Sequence, residues 1–79
     1  MSIKANVKTT WKSGQKCHGI YHDIKFSGVI NDNTRPTPDY KNIMFHVTLD
    51  PVIVVYGKAR TTLCIETHSN ENQLFIDTE

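Results

Sequence analysis

The sequence predicts an all-β fold: a single antiparallel barrel or sandwich of about six short strands, with little or no helix. Three observations carry this. The apolar runs are rich in Val, Ile, Thr and aromatic residues, and the only alanines are Ala5 and Ala59, which is strand chemistry. Apolar and polar residues alternate with a two-residue period, and no segment carries helical periodicity. The runs are short and are punctuated by Gly, Pro, Asn and Asp, the residues of turns.

The first strand is expected over Ile3 to about Trp11. Ile3, Ala5, Val7, Thr9 and Trp11 share one parity and should face inward, with Lys4, Asn6, Lys8 and Thr10 toward water. Lys12-Ser13-Gly14-Gln15 reads as a turn. Lys16 to Ile30 is too long for one regular strand and reads as one bent strand or two shorter ones. Ile20, Ile24, Phe26 and Ile30 keep one parity, with His22 among them, and Gly19 and Gly28 mark bulges or bends. Tyr21 has outward parity in this reading.

Asn31 to Lys41 is the longest loop, held out of regular structure by Asn, Asp and two prolines. Asn42 to Leu49 is the cleanest strand, with Ile43, Phe45, Val47 and Leu49 on one side and Met44, His46 and Thr48 on the other. Asp50-Pro51 should break it. Val52 to Tyr56 is apolar on both parities and reads as a strand covered on both sides. Left uncovered on one side, the same run would suit an interface with a partner or a second copy. Gly57-Lys58 is a turn, Thr61 to Glu66 a strand with Leu63 and Ile65 inward, and His68 to Asn72 a polar turn. Gln73 to Asp77 closes the series, with Leu74 and Ile76 opposite Phe75.

Consecutive strands with short connections and no crossover helix fit antiparallel pairing. Six short strands need a second layer or closure, so a small barrel of the SH3-like or OB-like kind is the favoured architecture. The 79 residues make one domain, residues 1–79. A chain this size buries only about 60 to 65% of its unfolded surface, so its core is thin.

The net charge of +1 excludes an acidic mimic of DNA and a strongly basic nucleic-acid coat. The charge is nevertheless uneven. Residues 1–30 hold five lysines against Asp23 alone, and residues 31–79 hold four cations against seven acids. No apolar leader, membrane span or Asn-x-Ser/Thr acceptor occurs, so a cytoplasmic location is expected. Two cysteines, Cys17 and Cys64, are too few for a disulfide framework and are expected as thiols, with a single bridge as the alternative.

Cys17, His18, His22, Cys64 and His68 are the residue types zinc takes. Along a strand, however, the Cα atoms of Cys64 and His68 would stand about 13 Å apart, too far for one tetrahedral site without a turn. No metal or other cofactor is expected. Cys17 and His18 are neighbours and point to opposite faces of a strand. Cys64 with His46 could meet across strands, yet no orienting third group is evident. Lys16, His18, His22 and Lys25 are the types a metal-free nuclease needs, but they form no diagnostic pattern. The expectation is therefore a non-enzymatic binding module with no catalytic residues.

Its leading form is a small regulator or inhibitor that binds a partner protein or itself. The long loop, with Arg35, Asp39, Tyr40 and Lys41, is the expected contact. The alternative is a β-barrel that binds single-stranded nucleic acid through Lys4, Lys8, Lys16, Tyr21 and Lys25, with Tyr40 and Phe75 as further aromatics. A small metal protein or nuclease is the third reading. No membrane role is expected.

Overall fold

The computed structural model describes residues 2–6, 8–67 and 71–77. They contain no helix. Seven strands, β1 (Ser2–Lys4), β2 (Lys16–Tyr21), β3 (Ile24–Ile30), β4 (Arg35–Pro36), β5 (Ile43–Val55), β6 (Lys58–Glu66) and β7 (Gln73–Asp77), form one antiparallel sheet. Its order is β1-β7-β2-β3-β5, with β6 on the far edge of β5. The two-residue β4 lies beyond β3 along the near edge of β5, where Arg35 faces Met44. The sheet curls into a half-barrel, so the fold is all-β as expected and has one layer rather than a sandwich.

The concave side holds the core. Phe45, Ile30, Leu63, Ile76, Val47 and Cys17 have fully buried side chains, and Trp11 meets Phe45 edge-on at 6.2 Å. Full burial of each large aliphatic or aromatic member stabilises by roughly 1.5 to 3 kcal/mol. The alternation read from the sequence holds best in β5, β6 and β7, where Phe45, Val47, Leu49, Leu63, Ile65, Leu74 and Ile76 are all buried.

The first strand is shorter than expected. It ends at Lys4, Ile3 is 43% exposed, and only Ala5 and Trp11 of the inward set reach the core; Val7 lies outside the described residues. Asn6 stops the strand. Its Oδ1 accepts from the Lys8 N–H at 2.8 Å, and its own N–H donates to Thr9 Oγ1 at 2.8 Å. This is turn chemistry that competes with a ladder.

The second segment is a hairpin of two strands. His22 and Asp23 sit at its tip with φ of 48° and 65°, the backbone a two-residue type I′ turn requires. That turn resets the alternation, so Cys17, Gly19 and Tyr21 face inward with Phe26, while His18 and Ile20 face out. Tyr21 thus packs against the core, contrary to its predicted outward parity. Gly19 and Gly28 are sites of close approach rather than bulges. A Cβ at Gly19 would stand 1.9 Å from the Gln73 carbonyl oxygen, and one at Gly28 2.1 Å from that of Thr48.

Two expectations around Pro51 also change. Asp50-Pro51 does not end the strand; β5 runs on to Val55. What breaks there is the register: Thr48 faces Thr62, yet Ile53 faces Arg60. A bulge is where a strand accommodates a residue with no N–H to donate. The run after it is covered on one side only. Ile53 and Val55 are buried, whereas Val52, Val54 and Tyr56 are 51%, 60% and 84% exposed.

The long loop is anchored. Thr34 and Thr37 are buried, the Thr34 hydroxyl accepts from the His46 N–H at 3.0 Å, and the Thr37 N–H donates to the Asn42 carbonyl at 2.9 Å.

Candidate functional site

The outer face of β1, β7, β2 and β3 gathers residues far apart in the chain. Directly paired residues share a face, so the register Lys4↔Phe75, Phe75↔His18, His18↔Ser27 forms one cross-strand row. The next row on this face is Gln73, Ile20 and Lys25. Lys16, two residues before His18, belongs to the same face by alternation. Taking strand spacings of ~4.8 Å and ~3.3 Å per residue, the Cα atoms of Lys4, Lys16 and Lys25 form a triangle about 12 to 16 Å on a side. His18 and Phe75 lie within it.

Those two rings stack, with centroids 5.5 Å apart and planes 13° apart. His18 Nδ1–H donates to Asp77 Oδ1 at 3.0 Å, which fixes the ring. Beside the stack is an apolar depression of about 490 Å³ lined by His18, Gly19, Ile20, Lys25, Phe26 and Phe75. The site is thus a flat aromatic platform, an apolar floor and three exposed ammonium groups. Asp77, already bonded to His18, is on the same face, and Asp23 and Glu71 line the cleft that adjoins Ile20 and Gln73.

Of the residues predicted for nucleic-acid binding, the fold brings Lys4, Lys16 and Lys25 together. Lys8 lies in the Asn6–Thr9 turn, and Tyr21 is on the inner side of β2. The sequence missed His18 as a platform residue. The signal was its alternation with the buried Cys17, but its pairing with Phe75 depends on β2 meeting β7, 59 residues from His18 to Asp77 along the chain.

Of the predicted protein-binding loop, Arg35 and Tyr40 border one cleft of about 490 Å³ with Pro36, Pro38, Met44 and His46. Tyr40 is 81% exposed. Asp39 serves the loop itself, its carboxylate accepting from the Thr37 hydroxyl and from the Lys41 N–H. Lys41 is exposed and stands outside the cleft.

Among the described residues no three His, Cys, Asp or Glu side chains converge to hold a metal ion; His68 lies outside those residues. Cys64 does face His46 across β5 and β6, but the pair is tuned against nucleophilic chemistry. Burial and then Glu66 push the Cys64 thiol up, with Arg35 opposing, and burial followed by Arg35 pulls the His46 imidazole down. An activated pair needs the thiol lowered.

No protein-family model matches the chain, and no curated protein or solved structure matches it either.

Proposed function

We propose that this chain is a small, non-enzymatic binding module that holds single-stranded nucleic acid on the outer face of β1, β7, β2 and β3. The row Lys4–Phe75–His18 is the observation that supports it most. A base stacks on aromatic faces regardless of its identity, and flanking lysines hold phosphates on either side. The overall charge of +1 is no obstacle, because binding responds to the local field and this face carries three lysines.

Fluorescence anisotropy with a labelled oligonucleotide of about 12 nucleotides, DNA and RNA in turn, tests the reading. Binding at low salt should weaken with a log–log salt slope of about −2, the value for roughly three neutralised phosphates on a single strand. No binding to either at about 20 mM salt removes it.

A second reading rests on Tyr40, held 81% exposed beside the Arg35–His46 cleft. An exposed aromatic on an anchored loop suits a partner protein, acting as the anchor such interfaces need. Retention of a partner that Tyr40→Ala abolishes and Phe75→Ala leaves intact would favour this reading.

A further inference from the structure

The cleft beside the long loop is apolar and carries one charge. Pro36, Pro38, Tyr40 and Met44 supply most of its wall, its volume is about 490 Å³, and among the described residues no acid lines it. Its cation is Arg35, and no ion pair among the described residues holds that guanidinium. Glu66 lies across Met44 from it, but already has an interaction of its own and does not line the cleft. The remaining polar ring is His46, whose Nε2 is cut off from solvent and makes no hydrogen bond among the described residues. Native structures leave few buried nitrogens unsatisfied, so the chain's own groups do not complete this wall. The loop side is preset. The Thr34 hydroxyl accepts from the His46 N–H at 3.0 Å, and the Tyr40 N–H donates to the Thr37 carbonyl at 2.9 Å. Tyr40 stands at φ 58°, a backbone that glycine takes at less cost. Its ring is 81% exposed, so packing within the chain does not repay that cost.

We propose that this cleft binds a carboxylate carried on an apolar body, with Arg35 taking the carboxylate and Pro36, Tyr40 and Met44 covering the apolar part. A guanidinium presents parallel N–H groups that match the two carboxylate oxygens. Apolar walls exclude water and strengthen that contact. The volume is that of a small-ligand pocket. A single cation suits a single charge, whereas a nucleic-acid strand brings one phosphate per nucleotide and needs several. The source is a free arylalkanoate or the carboxy-terminal aromatic residue of a peptide.

The probe is hydrocinnamate, titrated into the full chain and followed by NMR. Binding should move the Cε1–H resonance of His46, assigned with His46→Leu. With probe bound, the pH midpoint of that resonance should rise, because a carboxylate on Arg35 offsets the guanidinium charge that, after burial, opposes a proton there. Hydrocinnamamide keeps the shape without the charge and should bind at least about tenfold more weakly; hydrocinnamate should lose as much on Arg35→Gln. Tyr40→Gly suits the backbone and removes the ring, so it should weaken binding while the thermal midpoint holds. The peptide Gly-Gly-Phe separates the sources: tighter binding than hydrocinnamate assigns a partner's chain end, and weaker binding a free acid. The cleft shares no residue with the His18–Phe75 face. Arg35→Gln should therefore bind oligonucleotide like the parent, and Phe75→Ala should bind hydrocinnamate like the parent, so the two readings fail separately. No movement of the His46 resonance at about 20 mM probe overturns the proposal, since even a weak ligand of this size would register. So does equal affinity for acid and amide, or an Arg35→Gln variant that binds as the parent does.

Discussion

The two sides of β2 differ sharply. On the inner side Cys17 is buried to 2% exposure, Gly19 has no room for a single carbon, and Tyr21 leans on the core. On the outer side Lys16 is exposed, and His18 and Ile20 are half-covered. Six consecutive residues thus answer alternately to packing and to solvent. The inner set holds the fold, and the outer set faces away from the core.

The sharpest way to break this contrast is Gly19→Ala. The new methyl would collide with the Gln73 backbone carbonyl, an atom that cannot swing aside as a side chain could. Either β2 and β7 separate or the chain unfolds, and a loss above about 3 kcal/mol is expected in urea denaturation. A domain of this size has only about 4 to 12 kcal/mol in total. Lys16→Ala, on the other side of the same strand, should stay within about 0.5 kcal/mol of the parent. A Gly19→Ala variant as stable as the Lys16→Ala variant would mean that the strands are not so closely apposed.

The thiols give the second contrast. Burial, and then the charge of Asp77, push Cys17 up to about 12, whereas Cys64 is exposed. At pH 8 a disulfide reagent should label one thiol, Cys64, more slowly than a free cysteine because its thiol is pushed up, and reach Cys17 only after denaturant is added. The same shift has a consequence for stability. Above pH 9 the unfolded chain releases the Cys17 proton while the folded chain keeps it, so stability should fall as pH rises from about 9 toward 12. A Cys17→Ala variant should lose that alkaline slope, whatever it costs in packing.

How legible these two sides were from the sequence depends on range. Around Phe45, Val47, Leu63 and Ile76 in β5, β6 and β7 the alternation with polar neighbours was enough, because those stretches lie before the register shift that follows Thr48 or outside it. It failed at Tyr21, because a two-residue turn at His22-Asp23 shifts the parity of everything before it relative to everything after. Both turn residues take positive φ without being glycine, so the usual turn signal was missing. It failed again at Val52–Tyr56, since an apolar run cannot say which of its sides will be covered. The clustering of Lys4, Lys16 and Lys25 was not readable at all. It follows from β7 lying between β1 and β2, a pairing of chain ends that local pattern does not encode.

Exchanging aromatic residues across β2 sharpens the contrast further. Phe75→Ala removes half of the outer platform and should weaken oligonucleotide binding by about 1 to 3 kcal/mol. Tyr21→Ala should do the reverse of what its predicted outward parity implied, lowering the unfolding midpoint while the folded protein binds as before. Anisotropy and thermal melts on the two variants separate the effects. Equal losses of binding would mean that Tyr21 reaches the outer face in solution.

His46 is the exception that probes the rule at its weakest point. It lies on the outer parity of β5, facing Cys64, yet its Nε2 is buried and makes no hydrogen bond among the described residues. Burial, with the nearby Arg35 guanidinium second, pulls its pKa below the usual 6.5. The unfolded chain therefore takes up a proton that the folded chain refuses, and bound protons favour unfolding wherever the unfolded state holds more of them. Stability should be undiminished above about pH 7 and decline as pH falls through the mid-6 range. His46→Leu has nothing to protonate and should flatten that slope in denaturant titrations repeated at pH 7.5, 6.5 and 5.5 or thereabouts. The effect is the smallest of the four, since one partly covered ring is involved. An unchanged slope would mean that His46 reaches water on protonation, so that its side of β5 is as free as the outer side of β2.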